Sequence, residues 1–238
     1  MSADPLFDDE ILAVASDPRD VCHHLGLGGI AVLRSDTVPA AICRAFSLPT
    51  LRQLDVLLDH AVTPYSVNFC DTQSAMRWLE PSASDLRILD GLVPGRITLV
   101  SRAAADPVAQ RLSRALNADG QTLGVRVSSS KDEARVAKLL GGPVVTAAIN
   151  VDGRPAESVE EATNYLRNRM RRLNIRQRIM EVRDRARAKN SDLSTVVRNR
   201  KDGRFSVLEV IRSGAVADKL VRRVASTPWT PREIEDVT

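Results

Sequence analysis

Short apolar runs set the first limit on what this chain can fold into. Ile30–Leu33, Ile97–Val100, Leu123–Val127 and Val144–Ile149 are mostly apolar, four to six residues long, and bounded by glycine, proline or polar turns. Runs of that length fit buried strands, whereas a membrane-spanning helix needs roughly 18 to 20 apolar residues.

Helical spacing fills the gaps between the runs. Asp20–Leu27 reads as the end of a helix broken by Gly28-Gly29, and Leu51–Ala61, Thr72–Leu79, Pro107–Leu116 and Ser130–Leu140 read as short helices. Ser158-Val159-Glu160-Glu161 has the Ser-x-x-Glu form of a capping box, so another helix starts there. Ala162, Leu166, Met170 and Leu173 continue its apolar stripe. Ile175, Ile179, Val182 and Ala186 make a second stripe displaced around the helix, which places a bend or break near Asn174. The last strands are Ser194–Arg198 and Phe205–Ile211, around the turn Lys201-Asp202-Gly203. Strands and helices alternate unevenly, so the expected fold is α/β with a mixed parallel and antiparallel sheet.

An apolar share of 43% with 27% charged residues excludes bulk disorder. Aromatic residues make up only 3%, too few for a row of rings stacking on single-stranded nucleic acid. The net charge of +4 hides an asymmetry: residues 165–204 hold 14 Lys and Arg against four acids, whereas residues 1–20 hold six acids and one Arg. Such a basic rear suits a polyanion partner, or the acidic front of the same chain. Cys22, Cys43 and Cys70 are odd in number and form no CxxC pair. Cys22-His23-His24 lacks a second ligand pair at finger spacing, so it reads as a helix end and no metal site is expected. The acidic start, the lack of a long apolar run and the cysteine count lead to the expectation of a soluble, cytoplasmic protein without membrane contact.

The order of short motifs carries more than any one of them. Gly28 to Val38, with Arg34-Ser35-Asp36-Thr37-Val38 at its end, resembles the glycine-rich strand and Thr-Asp-Thr-Val opening of the YrdC family, the threonylcarbamoyladenylate synthases. Val93 to Val100 resembles its Pro-Gly-Pro-x-Thr strand, Gly124 to Val127 its Val-Arg-x-Pro, and Ala148 to Pro155 its Ser-Ala-Asn-x-Ser-Gly. Ser194-Thr195-Val196-Val197 is similar to its Ser-Thr-Val-Val, and Val210 to Ala215 to its closing Leu-Arg-x-Gly. All stand in the family's order. The resemblance implies a YrdC-like twisted mixed sheet with flanking helices over residues 21–216, with a basic helical insertion at about 158–190, an acidic segment at 1–20 and a tail at 217–238.

The resemblance also implies a reaction: L-threonine or another amino acid, bicarbonate and ATP with Mg2+ give threonylcarbamoyl-AMP, or the matching adduct of the other amino acid, and pyrophosphate, for the modification of adenosine 37 in transfer RNA. Carried over by position, Thr37 would hold the threonine end and Arg126 the carboxylate, with Ser35, Asn150, Ser194 and Arg212 on the nucleotide. Plain readings stand beside these: Arg126 as an edge arginine, Asn150 as a strand end, Ser194 as a turn. The family's Tyr-Gly-Leu is replaced by Pro39-Ala40-Ala41, and its phosphate-gripping Lys-x-Arg is missing, because no lysine precedes Lys131. His60, Arg44 and Arg52 are the nearby cations that could stand in. The alternative to an enzyme is a module of the same fold that binds RNA through Arg167, Arg171, Arg178 and Arg185 on one helical face.

Overall fold

The computed structural model describes residues 12–59, 65–117, 119–183, 192–202 and 205–227. The first half of the chain forms β1 (Leu12–Ala15), α1 (Pro18–Gly26), β2 (Ile30–Arg34), β3 (Pro39–Arg44), α2 (Leu48–Leu58), β4 (Ser66–Asn68), α3 (Thr72–Met76), α4 (Ala83–Leu92) and β5 (Ile97–Arg102). There follow α5 (Pro107–Leu116), β6 (Thr122–Arg126), α6 (Lys131–Leu140), β7 (Val144–Ala148), β8 (Asn150–Val151) and β9 (Arg154–Pro155). The chain continues with α7 (Val159–Leu173), β10 (Ile179–Val182), β11 (Thr195–Asp202), β12 (Phe205–Arg212) and α8 (Asp218–Ser226).

Local chemistry sets the helix starts. Asp17 accepts a hydrogen bond from the Arg19 amide at 2.9 Å, with Pro18 in the first turn, and Asp106 accepts from the Val108 and Ala109 amides ahead of Pro107. Ser158 accepts from the Glu161 amide at 3.0 Å, while the Glu161 carboxylate reaches back one residue beyond a regular capping box, to the Glu157 amide at 2.7 Å. Gly141 closes α6 in the left-handed region at φ 64°.

Ten strands form one sheet in the order β1-β10-β2-β3-β7-β4-β6-β5-β11-β12, and β8 pairs with β9 separately. The pairs β1·β10, β10·β2, β4·β6 and β5·β11 are parallel and the others antiparallel, the mixed sheet expected from the sequence. Strand β2 is apolar from Ile30 to Leu33, the part that is buried on both sides. Ile30 and Val32 join the larger core with Leu54, Leu57 and Leu166, while Ala31 and Leu33 face a smaller core with Leu25 of α1 and Val136 of α6. Gly29 lets the chain turn tightly from α1 into β2, since a Cβ there would lie 2.2 Å from the His24 ring. That ring nitrogen meets the Ile30 carbonyl at 3.0 Å, so Cys22-His23-His24 is the last part of a helix.

Two readings are corrected. The second apolar stripe is no helix over its described part: Asn174 adopts φ 51° and caps α7, and Ile179–Val182 runs as a strand between β1 and β2, while Ala186 lies outside the described residues. Ile179, Met180 and Val182 are all buried, which a two-sided strand permits and a surface helix does not. Arg178 therefore sits beyond the end of α7, off its helical face, and Arg185 lies outside the described residues. The stretch beyond residue 216, read as a tail, opens with α8, whose Val221 and Ala225 are buried. None of the described helices is long and apolar enough to cross a membrane.

Candidate functional site

Register alone places a floor of small side chains under one face of the sheet. Thr146, Ser66, Gly124, Val100 and Arg198 oppose one another in sequence across β7, β4, β6, β5 and β11. One step along the same face, Arg126 follows Gly124, and Thr98 opposes Val196, which opposes Arg212. These residues line a cavity of about 900 Å³ together with Ser35, Thr37 and Ser194. Side chains no larger than valine at the centre of the row leave room above the strands.

Arg126 lies on the central strand β6, not at an edge. Its side chain is 5% exposed and donates through Nη2 to Asp36, whose side chain is 4% exposed. The other Asp36 oxygen accepts from the Ser129 amide at 2.9 Å and hydroxyl at 3.1 Å, so the carboxylate is held at both oxygens. Behind it, the Ser35 hydroxyl donates to Glu133 at 2.8 Å. Burial pushes the Glu133 carboxyl above its ordinary range, with Arg126 opposing that rise. Arg126 Nε and Glu133 Oε1 are buried without a hydrogen-bond partner, as is the Thr146 hydroxyl. Polar atoms so placed cost about 1–3 kcal/mol each when left unpaired, and two of the three belong to residues of the cavity lining.

Across the cavity, Arg212 donates from Nε and Nη2 to the Ser194 carbonyl at 3.1 and 3.0 Å, and from Nη2 to its hydroxyl at 3.0 Å. The Ser194 hydroxyl also meets that of Thr98 at 2.9 Å. Burial lowers the Arg212 pKa, and the charge of Arg126 lowers it further, so two guanidinium groups sense each other across the space. Arg212 has no acidic partner among the described residues. The segment after it is pinned to the start of β11. Thr195 and Val216 exchange two hydrogen bonds, and at Gly214 a Cβ would lie 2.3 Å from the Leu193 carbonyl. Only glycine allows that approach, which keeps Ser194 and Arg212 together.

Ser35, Thr37, Arg126, Ser194 and Arg212, far apart in sequence, thus share one cavity. Asn150 does not join them: it is exposed, opens β8 and pairs with Pro155. Arg44 and Arg52 are also exposed and line no part of the cavity, while His60 lies outside the described residues. The cations that do line it besides Arg126 and Arg212 are Arg114 and Arg198, the latter paired with Glu209 at 2.8 Å. Sequence reading missed Asp36 as the partner of Arg126, although it stands inside the first motif. It also missed Asp55 and Tyr65, which no motif marks. Among the described residues no group of three or more His, Cys, Asp or Glu side chains could hold a metal ion.

Residues 23–214 match a family model named Sua5_yciO_yrdC and described as telomere recombination. No curated protein sequence matches the chain. Sua5 of P. abyssi in complex with L-threonine shares the fold at a TM-score of 0.68 and 14% identity, over 90% of this chain and 60% of that one. YciO of E. coli does so at 0.64 and 15%, over 86% and 94%. HypF in its phosphate- and nucleotide-bound form gives 0.64 and 17%, over 84% and 29%. The chain spans about three fifths of the Sua5 structure.

Proposed function

The chain belongs to the Sua5–YciO–YrdC family, and on that premise we propose that it makes a carbamoyl-adenylate from ATP, bicarbonate and an amino acid, L-threonine being the ligand in one of the similar Sua5 structures. The observation that carries this reading is the gathering of Ser35, Thr37, Arg126, Ser194 and Arg212 around one cavity. The amine and bicarbonate combine to a carbamate with loss of water. A carbamate oxygen then bonds to the α-phosphorus as the bond from that phosphorus to the bridging oxygen of the β-phosphate breaks, and pyrophosphate leaves.

Each residue has a part that its surroundings support. Arg126, held by Asp36 and short of one hydrogen bond at Nε, receives the amino-acid carboxylate. Arg212, partly exposed and without an acidic partner among the described residues, faces phosphate oxygens, with Ser194 and Thr98 orienting it. Thr37 and Ser35 line the entry of the β2–β3 turn to the cavity. Magnesium enters on the ATP phosphates as part of the substrate. Arg114 and Arg198 take over phosphate charge in place of the missing Lys-x-Arg. The test is pyrophosphate release and detection of AMP adducts by mass in the presence of ATP, bicarbonate and each amino acid. Activity that falls at least about 100-fold in both Arg126→Ala and Arg212→Ala is the expected result. Activity indifferent to both changes would place the reaction elsewhere.

A second reading, RNA binding, is favoured by one surface feature. Arg171, Arg172, Arg176 and Arg178 are exposed in close succession from the last turn of α7 into the connection to β10. Such a patch suits phosphate backbones, transfer RNA among them, without reading sequence.

A further inference from the structure

The cavity is not uniformly basic. At the end away from Arg212 its wall holds one acid and two hydroxyls whose protons are committed: the Tyr65 hydroxyl donates to Asp55, Tyr65 precedes Ser66, and the Ser66 hydroxyl donates to the Thr146 carbonyl at 3.1 Å, which leaves both hydroxyls only lone pairs to offer. Asp55 has no cationic partner among the described residues. Burial, with Asp55 alongside, pushes the Tyr65 phenol far up, so it stays a protonated donor to that carboxylate. The Cys43 thiol near Asp55 is pushed up to about 12, chiefly by burial, and offers no nucleophile there. A separate observation points to a ligand at this end. The hydroxyl of Thr146, on the face of β7 that lines the cavity, is 5% exposed by residue and has no hydrogen-bond partner. The orphaned hydroxyl can accept as well as donate, and beside an acid and two hydroxyls with only lone pairs to offer, the group that satisfies this wall is a donor, which the acid favours as a cation.

We propose that the amino-acid substrate carries a cationic side chain, as lysine, ornithine and arginine do, with its terminal group held by Asp55 and Thr146 while Arg126 takes its α-carboxylate. This rests on the carbamoyl-adenylate reading for the role of Arg126. Spacing supports it. Thr146 and Gly124 are two strands apart in one row, about 10 Å at ordinary strand spacing, and Arg126 lies next along that face of β6. The four-carbon stem of lysine, with a hydrogen bond at each end, spans a gap of that order, and the short side chain of threonine does not. The α-amine remains the group that becomes the carbamate. The side-chain cation stays protonated on Asp55.

Calorimetric titration of the full chain with L-lysine, L-arginine and L-threonine, without ATP, tests the binding alone. Lysine or arginine is expected to bind at least tenfold more tightly than threonine. Asp55→Asn should abolish that preference and Thr146→Val reduce it several-fold; the second change keeps the test valid if the first disturbs folding. Threonine binding as tightly as both basic amino acids, or a preference unaltered in both variants, overturns the proposal. Turnover with ATP and bicarbonate separates this from the underlying reading. An adduct with threonine but none with a basic amino acid removes the proposal and keeps the enzyme. Asp55-dependent lysine or arginine binding with no adduct from any amino acid keeps the proposal and removes the enzyme.

Discussion

Asp36 neutralises the one arginine that lies at the centre of the cavity, and both side chains are nearly excluded from water. Removing one member of such a pair strands the other charge, so Asp36→Asn is expected to cost about 3–5 kcal/mol in urea unfolding. A double change of Asp36 and Arg126 to neutral residues should recover part of that loss. Recovery of nothing would mean that the pair is not coupled. Glu133 behaves in the opposite sense. Burial holds its carboxyl above the ordinary range, so the folded chain keeps a proton there that the unfolded chain releases. Its contribution is therefore greatest below the ordinary carboxylate pKa and is lost as pH rises through the raised value. Melting temperatures of Glu133→Gln, measured against the parent from about pH 4 to pH 7, should shift in favour of the variant as pH rises; a pH-independent difference would show that Glu133 ionises normally. Motif order marked five of the cavity residues, because each stands at a strand end or turn where the chain leaves the sheet. Asp55, Tyr65 and Glu133 carry no such mark, since their role depends on burial and on partners brought from other elements.

Most elements could be read from apolar spacing, because Pro107–Leu116, Ser130–Leu140 and the four apolar runs pair a clear period with a clear stop. The connection after α7 could not. Ile175, Ile179 and Val182 fit a helical period by chance, and only the left-handed Asn174 and the place between β1 and β2 decide for a strand at Ile179–Val182. Strand β3, Pro39–Arg44, escapes sequence reading because it begins with proline and two alanines, weak strand formers, of which Ala40 lines the cavity and Ala41 joins the core. At Asn174, glycine is expected to be neutral or stabilising and valine to cost more than about 1 kcal/mol, since a branched side chain at φ 51° clashes with its own backbone. Equal stability of both variants in thermal unfolding would argue that α7 does not end there. The arginines around that cap allow a separate measurement. If Arg167, Arg171 and Arg178 meet RNA phosphates, changing all three to glutamine should flatten the slope of log affinity against log salt by about 0.7 to 0.9 for each phosphate no longer neutralised. Negligible RNA binding at physiological salt would retire that surface.

The cavity draws on chain segments from Ser35 to Arg212, so it exists only when the sheet from β3 to β12 is assembled. An ATP molecule held there binds the folded chain and not the unfolded one, and every strand that contributes is stabilised together. At about a hundredfold excess over its dissociation constant this linkage is worth about 2.7 kcal/mol. For a chain of this size each kcal/mol raises the melting temperature by about 2–4 °C, which makes the expected shift with ATP and magnesium about 5–10 °C. The shift should shrink to near zero in Arg212→Ala, since among the described residues that guanidinium bonds to Ser194 and to no acid, and persist in Arg171→Gln, which lies on α7 away from the cavity lining. Inorganic phosphate at the same concentration provides the comparison: a shift as large as that given by ATP would identify an anion site without nucleoside recognition. No shift with ATP at any concentration up to the millimolar range would remove the nucleotide from the cavity, and with it the adenylation reading.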